Sequence, residues 1–138
     1  MITEHDAPEE NPHFEYYNYP IKLNVKEPSV TDMVKEFAEI MGQAPNPQLY
    51  ERLISEEFDE WRKEVSDPHN ELKELSDLVY VCYGYAKSMG WNLDEAIRRV
   101  HKNNIGRCLQ KDGTIRRRED GKILKNPDYP KVDLRDLM

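Results

Sequence analysis

The chain has 138 residues, 38% of them hydrophobic and 34% charged, and a formal net charge of −7. This length suits one domain with one core, and the high charge suits long two-sided helices or a core completed by a second subunit. The acidic balance argues against general binding of nucleic-acid polymers through an overall positive field, and no apolar run approaches the length of a membrane span.

The expected location is cytoplasmic, because the acidic N-terminus does not resemble a signal peptide. Cys82 and Cys108 make neither a disulfide framework nor a metal-ligand spacing, and Cys82 falls in an apolar helical pattern that favours a buried thiol. Charge is uneven along the chain. The first twenty residues hold no Lys or Arg, the acidic excess lies between Glu51 and Asp77, and Arg98 to Lys125 is basic. The two blocks either attract each other or hold the two halves of a metal–polyphosphate ligand.

Residues 1–28 read as an irregular arm with aromatics at Phe14, Tyr16, Tyr17 and Tyr19. Ser29 and Asp32 form a capping box for a first helix, in which Val30, Met33, Val34, Phe37, Ile40 and Met41 recur at helical spacing until Gly42. Asn46 caps a second helix with Pro47 in its first turn, and its stripe is Leu53, Ile54, Phe58, Trp61 and Val65. This helix should end near Ser66–Pro68. The third runs from about Asp67 to Met89, with Leu72, Leu75, Leu78, Val79, Cys82 and Ala86 inward and Gly90 as the stop. The short connection makes the second and third helices antiparallel. Asn92 and Glu95 resemble a second capping box, opening a fourth helix through Ala96, Ile97, Val100 and Ile105. Turn signals at 111–114 and 119–122 predict a small hairpin, and an extended tail follows.

Chemistry concentrates on four carboxylates. Glu57 and Glu60 share a face of the second helix, and Glu74 and Asp77 repeat that spacing on the third. In an antiparallel pair the two sets face each other. Their mutual repulsion, sharpened by partial burial, is relieved by a divalent cation. Oxygen-only ligands favour magnesium, manganese or calcium over zinc. The competing explanation is a solvated acidic face with Arg62, Lys63 and Lys73 as partners, and spacing alone favours it. Asp77 shifts the balance, being a poor helix-interior residue placed between Leu75 and Leu78.

The run Arg52–Glu60 followed by Glu74–Val81 resembles the E-x-x-E … E-x-x-D signature of the MazG-like nucleotide pyrophosphohydrolases. That all-α group also contains the dimeric dUTPases and phosphoribosyl-ATP pyrophosphohydrolase. Met41-Gly42-Gln43, Val100–Asn104, and Arg118–Lys125 with Pro127 and Tyr129 resemble its phage and bacterial subgroup, so the likeness covers most of the chain from Ser29 onward. It implies a four-helix bundle with an irregular arm and a C-terminal hairpin and tail, completed by homodimerisation, with a homotetramer as the next level. The helical catalytic domain would be 29–108 and the hairpin and tail 109–138. It also implies magnesium, with manganese as substitute, at Glu57, Glu60, Glu74 and Asp77, and hydrolysis of a nucleoside triphosphate to monophosphate and diphosphate.

By the same resemblance, Glu56 stands where relatives place a water-activating base and Asn104 matches an asparagine near the nucleotide. Arg107 stands where relatives often carry Lys. Lys102, Arg107 and Lys125 are the basic groups expected on the β and γ oxygens. Gln43 and the arm are candidates for the base pocket. His101 and the run Arg116–Arg118 read as structural or solvated, and Trp61 and Trp91 as core or dimer contacts. The absence of a G-x-x-x-x-G-K-[ST] run disfavours a P-loop enzyme. Two alternatives stay open: a non-catalytic metal-dependent nucleotide sensor, and a helical protein-interaction module.

Overall fold

A computed structural model describes residues 27–138, and the expected N-terminal arm lies almost wholly outside them. Four helices follow in order: α1 (Val30–Ile40), α2 (Pro47–Lys63), α3 (Pro68–Met89) and α4 (Leu93–Cys108), with a short 3-10 turn at Arg135–Leu137. The fold is all-α.

Local chemistry sets the boundaries. Ser29 Oγ accepts the Asp32 N–H while the Asp32 carboxylate accepts the Ser29 N–H, which completes the expected capping box. At the other end of α1, Gly42 is left-handed at φ 62°. The Gly42 N–H donates to the Glu39 carbonyl and the Gln43 N–H to the Ala38 carbonyl, a Schellman closure. Asn46 caps α2 through the Leu49 N–H.

One boundary and one capping box differ from expectation. α2 ends at Lys63 rather than near Ser66, because the Asp67 carboxylate captures the His69 and Asn70 N–H groups and opens α3 with Pro68 in its first turn. Asn92 caps the Glu95 N–H, but Glu95 does not return the bond. Its carboxylate goes to Arg98 and Arg99, and the Asn92 N–H donates to the Leu137 carbonyl instead.

α2 and α3 form the most extensive helix pair. The Asn46 N–H donates to Ser88 Oγ at 3.1 Å, and Tyr50 packs on Gly84, where a Cβ would fall inside its ring. Four residues along α2 match four back along α3, so the pair is antiparallel. Val34, Ala38, Tyr50, Val81 and Ala86 are the buried apolar residues among those described, with a T-shaped contact between the Phe37 and Tyr80 rings joining α1 to α3.

The expected inward stripe of α3 is corrected here. Leu72, Leu75 and Val79 are exposed (66%, 40% and 43%), whereas Val81, outside that stripe, is buried. The buried positions of α3 are Val81, Gly84 and Ala86, and the described residues leave open the row that carries Leu72, Leu75 and Val79.

α4 packs lightly on α1 and α3 and is held mainly by the tail. The tail runs back along it. The Asn126 N–H donates to the Arg107 carbonyl, Tyr129 seats on Gly106, Asn103 Nδ2 donates to the Pro130 carbonyl, and Arg99 grips Asp136 with two bonds of 2.6 and 2.9 Å. Before the tail, the expected hairpin proves to be two successive turns. Each closes on one isolated bridge, Leu109 with Ile115 and Arg117 with Ile123, around left-handed Gly113 and Gly121. Asp112 and Asp120 fold onto their own turns, so neither segment extends into a ladder. No helix among the described residues is long and apolar enough to cross a membrane.

Candidate active site

The register that puts Tyr50 on Gly84 continues seven residues along each helix and sets Glu57 opposite Asp77. Glu57 and Glu74 also stand equally far, about 9 Å of helix, from the turn that joins α2 to α3. Sequence spacing and helix register thus converge. Oxygens of Glu57, Glu74 and Asp77 all lie within 4.8 Å of one another.

Two of these oxygens, Glu57 Oε2 and Glu74 Oε2, are buried and accept no hydrogen bond from any described residue. A buried acceptor without a donor is costly and calls for an ion or water. Burial raises the Glu57 carboxyl above its ordinary range, and the negative charge of Glu60 pushes it further, followed by that of Asp77 and Glu74. The donor set is all oxygen, part-buried and over-charged, and it fits a hard divalent cation.

Glu60 belongs to this group by proximity to Glu57, but it is exposed and stands outside the tight trio. Glu56 is exposed one position round the helix. Lys73 enters the site as a local counter-charge, 2.7 Å from Asp77 and 3.5 Å from Glu74, so the solvated-face explanation holds for one corner. Arg62 instead lies over the Phe58 ring at 5.7 Å. One feature escaped sequence reasoning: Trp61, one turn beyond Glu57, has a buried indole N–H with no acceptor among the described residues. Its spacing of four from Glu57 was the available signal.

The cationic candidates sit elsewhere. Asn104 and Arg107 share a face of α4, while Lys102 lies roughly 160° around the helix from Asn104. Lys125 directly precedes Asn126, whose N–H donates to the Arg107 carbonyl. Gln43 is engaged by the Tyr50 hydroxyl at 3.1 Å, toward the end of the α2–α3 pair away from the carboxylates. His101 is exposed on α4.

A family model described as phosphoribosyl-ATP pyrophosphohydrolase matches residues 9–104. The chain belongs to that family. The match takes in α1, α2, α3 and most of α4, and so includes every carboxylate of the cluster. Comparison with curated proteins finds no match. Membership places the chain in the MazG-like all-α superfamily and supports nucleotide pyrophosphohydrolase activity in general, a hydrolysis of acid anhydrides.

Proposed function

We propose that this pyrophosphohydrolase is metal-dependent and of the phage and bacterial MazG-like subgroup. It would convert a nucleoside triphosphate to the monophosphate and diphosphate by attack of water on the α-phosphorus. The observation that carries the reading is the cluster of Glu57, Glu74 and Asp77, with its two buried oxygens that no described donor satisfies.

Glu57, Glu74 and Asp77, joined by Glu60, would hold magnesium, with manganese as a substitute. The ion supplies charge neutralisation to the polyphosphate. Glu56, exposed one position round the helix from Glu57, would take the proton of the attacking water. Asn104 and Arg107 on one face of α4, together with Lys125, would donate to phosphate oxygens. Lys102, on a different face, would reach the substrate from another side.

A homodimer would complete this arrangement. Phe58, Leu72, Leu75 and Val79 on the carboxylate-bearing helices, with Val65 in the turn between them, are large apolar side chains left open, a surface that a second copy would cover. α4 packs only lightly against its own α3, so in the dimer its cationic groups would bind the polyphosphate held beside the partner's carboxylates. The substrate screen consists of deoxynucleoside and ribonucleoside triphosphates, dUTP, oxidised nucleotides and phosphoribosyl-ATP, each with magnesium. Monophosphate and diphosphate should form in equal amounts for the preferred substrate, and Glu74→Gln should abolish both while the protein stays folded. Nucleotide binding without turnover would instead identify the sensor, and partner binding indifferent to EDTA the interaction module.

A further inference from the structure

The end of α4 carries a cleft that the carboxylate chemistry leaves unused. It has a volume of about 650 Å³ and is walled by the first turn and the start of the tail. That size is in the range of small-molecule sites and far exceeds the space of an inorganic phosphate.

Its surfaces differ in chemistry. One is apolar: Leu109 and Tyr129, whose ring seats so closely on Gly106 that a Cβ there would overlap it. The lining also carries Lys111 and Arg116, both exposed and neither ion-paired with another described residue. Asp112 lines the same turn, and its Oδ1 accepts the Thr114 N–H and hydroxyl at 2.9 and 2.6 Å, so the turn itself draws part of its charge. The turn is preformed, with the Gln110 N–H on the Thr114 carbonyl and Gly113 left-handed at its tip.

Two orphaned donors complete the picture. Gln110 lines the cleft and its amide nitrogen is buried without an acceptor, as is Nε of the adjoining Arg107. The last torsion of a glutamine is broad, so its amide turns toward a ligand without leaving its rotamer. Unsatisfied donors beside a cationic lining call for an acceptor-rich anion, and the apolar surface calls for a flat ring.

We infer that this cleft is a second ligand site, one that binds a nucleoside monophosphate with its ring on Tyr129 and Leu109 and its phosphate between Arg116, Lys111 and the Gln110 amide. This binding requires neither metal nor turnover. Full-length protein in EDTA is titrated calorimetrically with dAMP, deoxyadenosine and inorganic phosphate. Saturable dAMP binding is expected, with deoxyadenosine and phosphate each weaker by about tenfold or more, as is typical for loss of a charge-assisted contact or a stacked ring.

Arg116→Glu, at an exposed position that leaves the fold intact, and Gln110→Leu should each weaken dAMP by about tenfold or more, whereas Glu57→Gln should not. Absence of saturable binding, equal affinity for phosphate and dAMP, or indifference to Arg116→Glu would overturn the inference. Loss of binding in Glu57→Gln with Arg116→Glu unaffected also overturns it. That result puts the nucleotide on the α2–α3 carboxylates and leaves the proposed hydrolysis standing.

Discussion

Replacing Glu57 by Gln removes one negative charge from the cluster while keeping the side chain's volume. Two unit charges at the outer limit of 4.8 Å repel by about 1 kcal/mol in water and about 3 kcal/mol at an effective dielectric of 20. The Glu74 side chain is 16% exposed, so its repulsion of Glu57 is the less screened one; Asp77 is 38% exposed and already paired with Lys73. Screening at the open corner brings the expected gain to about 1–2 kcal/mol. In EDTA at pH 7, Glu57→Gln should therefore melt about 3–8 °C above the parent.

The pH dependence has a definite sign. The Glu57 carboxyl is raised by burial and by like charge, so its contribution to stability is full below the ordinary glutamate range and is lost as pH rises through the raised value. The gap in melting temperature should be near zero at pH 4 and full at pH 7. With magnesium the order reverses: the parent gains stability by ligand linkage and the variant gains little. A variant less stable than the parent in EDTA, or a gap that ignores pH, would falsify the view of this cluster as over-charged without its cation.

Gly84→Ala drives a methyl into the Tyr50 ring at the centre of the α2–α3 seam. The expected cost is about 1–3 kcal/mol in urea unfolding, and no loss would mean the seam is looser than described. Arg99→Ala releases the Asp136 end of the tail. Amide exchange at Asn92, whose N–H is held by Leu137, and along the tail should quicken, with little change in global melting because the pair is open to solvent.

The helices were legible because their signals are local: Ser29, Asn46 and Asn92 sit as caps where side-chain chemistry demands them, and Gly42 and Gly90 take left-handed conformations. Meeting of Glu57 with Glu74 and Asp77 was legible too, because a short turn between two helices dictates their register. What stayed hidden was non-local. Periodicity marks Leu72, Leu75 and Val79 as apolar but does not tell a core from an uncovered face. The two glycine turns read as one hairpin because the pull of Asp112 and Asp120 on their own backbones looks the same in sequence as a ladder turn. The tail's grip on α4, from Asn126 to Leu137, depends on partners up to 45 positions away that no pattern links. Lys73 was visible as a possible partner, but only the fold shows it favouring Asp77 over Glu74.

The most direct test is turnover of the preferred triphosphate in water enriched in oxygen-18 with magnesium present, followed by mass spectrometry of both products. One heavy oxygen in the monophosphate and an unlabelled diphosphate are predicted, with Glu57→Gln inactive under the same conditions. Label in the diphosphate, release of orthophosphate alone, or unchanged turnover by Glu57→Gln would contradict hydrolysis at the α-phosphorus by this carboxylate cluster.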